Sequence, residues 1–270
     1  MCGGTASEYS NSRARRGCGR AGSGFGAGAS LASDDASNAT YASGWATGSA
    51  TTTTGTWGGG WTFTTTNGDT GQNGRFTGTS TGNDQGISGL TSINTGGRAW
   101  AMYSNSGTLV TADRPLDGAL LLKQSIQFSL DNGNIGNGNK VGVQLMVGST
   151  VAFEFRFVGG ETNYSLYDGG GVVTTSLGFS LGGVSAQFDK VGLNSYNFTA
   201  TRKETNTVYT LSNRTFAGGS GGVTSIRFFN SNAGAGGSNN AYFNSIAVIP
   251  EPGALALLGS GLLLSLRRRK

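Results

Sequence analysis

Histidine is absent from the 270 residues. That excludes the usual Ser-His-Asp and Cys-His machinery, and it excludes histidine-ligated metal sites. Cysteine occurs only at Cys2 and Cys18. Residues 29–249 therefore have neither a disulfide frame nor a thiol nucleophile, although a domain of this size can bury a sufficient core without crosslinks. Charged residues supply only 12% of the chain and hydrophobic ones 36%. A core built from so few apolar residues suits strands with one buried face. Long helices are disfavoured, because the chain is rich in Ser, Thr and Asn and carries 49 glycines, all weak helix formers.

A basic field is also missing from the body, despite a formal charge of +5. Residues 1–20 hold Arg13, Arg15, Arg16 and Arg20 against Glu8. Residues 250–270 hold Arg267, Arg268, Arg269 and Lys270 against Glu251. Eight of the 19 basic and two of the 14 acidic residues thus lie at the ends, which leaves 11 against 12 between them. Nucleic-acid binding usually needs a concentrated basic surface, and this distribution argues against it.

What the middle does have is alternation. Ile126, Phe128 and Leu130 alternate with Gln127 and Ser129, and Val141, Val143, Leu145 and Val147 with Gly142, Gln144 and Met146. Val151, Phe153, Phe155 and Phe157 follow the same rule, then Tyr196, Phe198 and Ala200, then Tyr209 and Leu211. Ile226–Phe229 and Tyr242–Val248 supply the last two runs. A period of two marks half-buried strands. The intervals are turn-forming: Asp131–Asn134 with Gly136–Asn139, Gly148-Ser149 as a tight hairpin, Asp168–Gly171, and Gly218–Gly222. Asn230–Asn240 reads as a flexible loop. The fold class expected is all-β, a two-sheet antiparallel sandwich of about ten or eleven strands occupying residues 29–249.

The chain closes on VIPEPGALALLGSGLLLSLRRRK. Pro250-Glu251-Pro252 ends any preceding strand, since proline cannot donate to a ladder. Residues 253–266 follow without a charge, carrying Ala254, Leu255, Leu257, Leu258, Leu262, Leu263, Leu264 and Leu266. Arg267, Arg268, Arg269 and Lys270 end the sequence. A short hydrophobic helix backed by a basic cluster inserts with that cluster on the cytoplasmic side, which places the body outside. Fourteen helical residues span about 21 Å against a ~30 Å hydrocarbon core, so snorkelling arginines and local thinning must close the gap. The competing reading is a buried core helix, against which the terminal basic cluster argues.

The tripeptide, the apolar run and the arginines, in that order, resemble the PEP-CTERM sorting signal of exported Gram-negative proteins. The resemblance implies that Pro250, Glu251 and Pro252 are recognised by an exosortase-type membrane enzyme, which processes the tail near the motif. It implies a transient membrane anchor, then the cell surface or an extracellular matrix of polysaccharide and biofilm. The segments DDASN…GW…WTFTT, RAWAMYSNSG and RFFNSNAGAGGSNNAYFNSIAVIPEP are similar to the body common in such proteins. That body implies a concanavalin-like or jelly-roll sandwich without an assigned activity.

Residues 1–28 fit this poorly. They contain no apolar run of the length a signal peptide needs and read as disordered. A misassigned start is one explanation, an Arg-rich cytoplasmic head the other. From Ala29 the sequence has the character of a mature exported protein.

Three kinds of site come into question in the body. A glycosidase needs two carboxylates about 5–10 Å apart, and Glu154 has an arginine, Arg156, two residues on; a solvated, paired charge is the better reading. Asp131, Asn132 and Asn134, with Asn139, offer oxygens that could hold calcium, but turn formation explains them equally. Trp57, Trp61, Trp100 and Tyr103, with Trp45, could stack on sugar rings or form core. No catalytic residue and no obligatory cofactor is expected. The functional expectation is an exported, non-catalytic surface or matrix protein. The alternative is a lectin-type carbohydrate-binding module, and a polysaccharide-active enzyme ranks third.

Overall fold

The computed structural model describes residues 31–49, 57–66, 71–80 and 92–250. Fifteen strands run through them: β1 (Ala32–Asp34), β2 (Thr62–Thr66), β3 (Asn73–Gly78), β4 (Ala99–Ser104), β5 (Leu109–Pro115), β6 (Ser125–Asn132), β7 (Lys140–Val147), β8 (Thr150–Val158), β9 (Asn163–Asp168), β10 (Gly171–Gly178), β11 (Val184–Lys190), β12 (Ser195–Arg202), β13 (Val208–Thr215), β14 (Ser225–Ser231) and β15 (Ala241–Ile249). Three short 3₁₀ turns, Ala39–Tyr41, Gly219–Gly221 and Gly237–Asn239, accompany them.

The strands form two antiparallel sheets. One has eight strands in the order β13-β12-β11-β6-β15-β4-β3, with β1 also paired to β15. The other has seven, in the order β10-β9-β8-β7-β14-β5-β2. The expected all-β two-sheet sandwich is therefore present, with more strands than the ten or eleven read from the sequence. The runs over β6, β7, β8, β12, β13, β14 and β15 fall where the alternation placed them. Gly148-Ser149 closes the β7–β8 hairpin as expected.

Alternation places the core. Ile126, Phe128 and Leu130 of β6, Phe188 of β11 and Phe198 of β12 point inward from one sheet. Val141, Val143 and Leu145 of β7, Phe153 and Phe155 of β8 and Phe228 of β14 meet them from the other. Phe228 and Phe243 stack across the gap with centroids 4.4 Å apart. Each such ring contributes roughly 1.5–3 kcal/mol when fully buried, so the aromatics carry much of the stability of a chain with little aliphatic content. The outer strands β2 and β13 are largely exposed, and β10 exposes one face, Val172, Thr174 and Ser176, while Thr175 and Leu177 are buried. Polar edge strands discourage pairing with a second chain.

One expectation is corrected here. Asn230 to Asn240 is not simply a loop. Asn230 and Ser231 belong to β14, and Asn230 has no exposed surface. Its Nδ2 donates to the Met102 carbonyl at 3.0 Å, and its Oδ1 accepts from the Ala233 N–H at 3.2 Å. These bonds anchor the segment that sequence composition alone makes look loose.

Candidate functional site at the tail exit

β15 leads directly into the tail. It is an interior strand, with β6 along one side and β4 followed by β1 along the other. Its parity changes midway: Ala241 and Phe243 face the core, then Ile246 and Val248. A bulge makes the change. Asn244 opposes Ser129 while Ala247 opposes Gln127, which inserts one extra residue, and Ser245 takes a φ of 54°.

Asn244 holds the bulge together. Its Oδ1 accepts from the Ala36 N–H at 2.9 Å, and its Nδ2 donates to the carbonyls of Ile93 at 2.8 Å and Arg98 at 2.9 Å. Val248 consequently stays buried, Ile249 pairs with Ser125, and the Val248 carbonyl accepts from the Leu31 N–H. Pro250 then stops the ladder because it has no N–H to give. The sandwich is thus ordered up to the first residue of the expected motif.

The aromatic candidates separate. Trp61 and Trp100 have 0% exposure, so no sugar can lie on them; this corrects the expectation. With Trp45 they form a packed cluster, Trp61 and Trp100 lying 5.2 Å apart and Trp45 and Trp100 stacked at 5.7 Å. The glycines between Trp57 and Trp61 serve close packing instead of a loop rim. A Cβ on Gly58 would lie 2.3 Å from the Leu116 carbonyl oxygen, and one on Gly60 2.5 Å from that of Gly48. Trp57 is half-buried, with the Arg114 guanidinium 5.3 Å from its ring centre.

Tyr103 differs from Trp61 and Trp100. It lines an open cleft of about 520 Å³ together with Gly44, Trp45, Gly74, Arg75 and Phe76. Its ring and that of Phe76 are 6.5 Å apart and tilted by 44°. Arg75 is fixed at the rim by its Nε, which donates to the Trp45 carbonyl at 2.9 Å, and by the Phe63 ring 3.9 Å beneath its guanidinium. Sequence reading missed Arg75 and Phe76. The signal was there in Gly74-Arg75-Phe76-Thr77-Gly78, where glycines make room for rings: a Cβ on Gly74 would lie 2.6 Å from the Tyr103 ring and one on Gly78 3.0 Å from that of Phe76.

The calcium candidates do not form one loop. Asp131 and Asn132 are the buried last residues of β6, not part of the turn. Asn132 Oδ1 accepts from the Tyr164 hydroxyl at 2.8 Å. Asn134 is exposed and is held through its backbone: its N–H donates to the Ser238 carbonyl at 2.7 Å and its carbonyl accepts from Asn239 Nδ2 at 2.6 Å. Asn139 Oδ1 accepts from Asn232 Nδ2 at 3.2 Å. Their amides knit this end of the sandwich. Among the described residues no three His, Cys, Asp or Glu side chains gather where a metal ion could sit.

Another buried polar group escaped the sequence altogether. Asp34 and Arg114 lie 3.5 Å apart with no exposed side-chain surface. The Tyr41 hydroxyl donates to Asp34 and accepts from Trp61 Nε1 at 3.0 Å. Burial and the neighbouring carboxylate push that hydroxyl's pKa up, while burial pulls the Arg114 guanidinium down against the opposing pull of Asp34.

Residues 248–270 match the family model of the PEP-CTERM protein-sorting motif. The tail is a PEP-CTERM sorting motif. The chain is accordingly an exported protein that is sorted through its C-terminus, and the motif implies processing by an exosortase in the membrane. Val248, Ile249 and Pro250 of the motif are the end of the sandwich just described. Glu251 and Pro252, the apolar run Ala254–Leu266 and the basic residues Arg267–Lys270 lie outside the described residues, as do residues 1–28. Among the described residues no helix is long and apolar enough to cross a membrane.

No curated protein matches the sequence. Among solved structures, the chain is similar to a Caenorhabditis elegans galectin, LEC-6, at 12% identity and a TM-score of 0.33, covering 50% of this chain and 88% of that one. It is similar to a Shewanella oneidensis protein of unknown function at 11% and 0.39, covering 70% and 79%. It is also similar to the lumenal domain of VIP36 bound to Ca²⁺ and Man2, at 8% and 0.37, covering 70% and 80%. The fold assignment rests on the strand pairing above and not on these likenesses.

Proposed function

We propose that the sandwich is a non-catalytic cargo domain, delivered by its sorting tail to the cell surface or to an extracellular polysaccharide matrix. Before processing, the apolar run holds the chain in the membrane as a transient anchor. The observation that carries the non-catalytic reading is the use made of the carboxylates. Glu154 is 3% exposed and is locked by Arg156 at 2.7 Å and Gln144 at 2.6 Å. Asp168 is held by Arg214 and Tyr196, Glu204 by Arg202 and Ser180, and Asp34 by Arg114 and Tyr41. No two of these acids share a partner. A glycosidase instead needs a pair facing one cleft, with one member free to exchange a proton.

The test is direct. The processed body, recovered from the extracellular fraction of a host with a matching exosortase, is incubated with the polysaccharide of that matrix. Retention on the polysaccharide fraction without release of reducing ends is expected. Release of reducing ends would overturn the reading.

A second reading, a carbohydrate-binding module, is favoured by the cleft at Tyr103. A flat phenol and a phenylalanine edge beside a fixed guanidinium suit the apolar face and hydroxyls of a sugar. Binding on a glycan array that is lost in Y103A but kept in W100F would support it, because Trp100 is core. No binding on the array, with retention on the matrix polysaccharide unaffected by Y103A, would leave the cargo reading alone.

A further inference from the structure

The described residues include eight exposed large hydrophobic side chains, and five of them, Leu31, Leu121, Leu122, Val191 and Leu193, sit at one end of the sandwich. Their shared location follows from strand register. Ser125, the first residue of β6, pairs with Ile249 on one side and with Asp189 on the other. The segment before Ser125, the segment after Lys190 and the tail after Ile249 all therefore leave at the same end. Leu31 joins them through its bond to Val248. The opposite end carries the asparagine-knit loops.

The leucines are presented by rigid backbone. Leu120 N–H donates to the Val223 carbonyl at 2.7 Å and Lys123 N–H to that of Lys190 at 2.7 Å. Lys190 Nζ donates to the Leu120 carbonyl at 2.7 Å, and Lys123 is held at a φ of 65°. This bracing turns Leu121 and Leu122 outward to 64% and 54% exposure, with Leu193 beside them at 74%. Between them and the tail exit, the lining of a cavity of about 280 Å³ includes Leu31, Leu116, Leu120 and Val248 together with the polar Asp117 and Gln124. Exposed apolar surface gathered in one place marks a contact site.

The tail says what makes the contact. Four peptide links separate Ile249 from Gly253, the start of the uncharged run, and they reach at most about 14 Å. While that run is in the bilayer, this end of the sandwich cannot be farther from the lipid surface than that. We propose that the end bearing Leu31, Leu121, Leu122, Val191 and Leu193 is a lipid-contacting face, resting on the non-cytoplasmic surface of the bilayer until the tail is cut. The proposal rests on the reading of the tail as a membrane anchor. It adds an orientation: the sandwich sits end-on, with the asparagine-rich loops and the β12–β13 turn pointing away from the membrane.

The experiment uses the full chain with Cys2 and Cys18 replaced by serine and one reporter cysteine introduced as L122C, L193C or, at the far end, T205C. Each is labelled with an environment-sensitive dye and reconstituted with phosphatidylethanolamine–phosphatidylglycerol vesicles carrying a nitroxide near the headgroup. Co-flotation with the vesicles and several-fold stronger quenching at 122 and 193 than at 205 are expected. The variant L121S/L122S/L193S, read through V191C, should still float and lose the quenching. Flotation with equal quenching at all three sites overturns the lipid face and leaves the anchor standing. Failure to float overturns the anchor and the face together. Shielding of 122 and 193 in detergent without lipid, with a dimer in sedimentation, overturns it in favour of a second copy of the chain.

Discussion

Asp34 and Arg114 show how a single pair of side chains ties distant parts of the chain together. Asp34 belongs to the first strand and Arg114 to β5 of the other sheet, and both are fully buried. Removing one partner strands the other charge away from water. D34A should therefore destabilise the fold by about 3–5 kcal/mol, while D34A/R114M, which removes both charges, should be less harmful. Urea unfolding of the two variants checks the order, and an equal or greater loss in the double variant would sink the argument. Asp168 gives the pH dependence. Burial pushes its carboxyl up, but the bonds from Arg214, Tyr196 and the Gly170 N–H outweigh that and leave it below its ordinary 3.8. Glu204 is likewise held below 4.5, burial being outweighed by Ser180 and Arg202. Both acids bind protons more weakly folded than unfolded. Their stabilisation is complete above those ordinary values and is lost as pH falls through the folded ones. Stability should drop on acidification, and D168N should flatten that acid limb; an unchanged limb in urea midpoints would refute it.

At the scale of elements, Asn244 is the decisive residue of β15. Alanine there would leave the Ala36 N–H and the Ile93 carbonyl without their partner in a buried place, while the Arg98 carbonyl keeps the Thr95 N–H. N244A should cost about 2–4 kcal/mol, because two buried groups are orphaned at once. Thermal unfolding measures it, and a loss no larger than that of a surface substitution would contradict the role. The same strand shows why the sequence was only partly legible. β6, β7, β8 and β12 bury one face, so period two appears in their letters. β15 carries Asn-Ser at its bulge, and the apolar parity shifts from odd to even there, which no uniform period describes. β4 is buried on both faces, with Ala99, Trp100, Ala101 and Met102 all at 0% exposure, so its apolar run is continuous. The edge β2 is almost wholly exposed, and β10 buries one face partly through glycine and threonine, so neither leaves an apolar alternation in its letters. Trp61 and Trp100 could not be told from sugar platforms because a tryptophan's letter is the same in a core and on a rim. The asparagines of the 131–139 segment were ambiguous for a similar reason. Amides that brace a turn and amides that bind a cation look alike until their partners are known.

For the whole molecule, charge and apolarity are sorted by position. The body is near neutral between two basic ends, its exposed leucines gather where the tail leaves, and the sorting motif begins inside the last strand. The motif thus has two separable physical roles. Pro250 ends the β15 ladder, and in the reading proposed above Pro250-Glu251-Pro252 is the element the processing enzyme reads. Replacing all three by alanine restores a backbone donor at position 250 and removes the recognised side chains together. A larger, membrane-retained form should accumulate in a host with the matching exosortase, seen as a size shift of a tagged body on immunoblots. Occlusion by an extended strand would give the same result, so E251A is the discriminating variant. It keeps both prolines and the strand end, and removes only the carboxylate. If the enzyme reads side-chain chemistry, E251A should also slow processing. Full processing of E251A with a block in the triple variant would assign the motif's role to backbone geometry, and unchanged processing of both would remove the motif from the sorting step altogether.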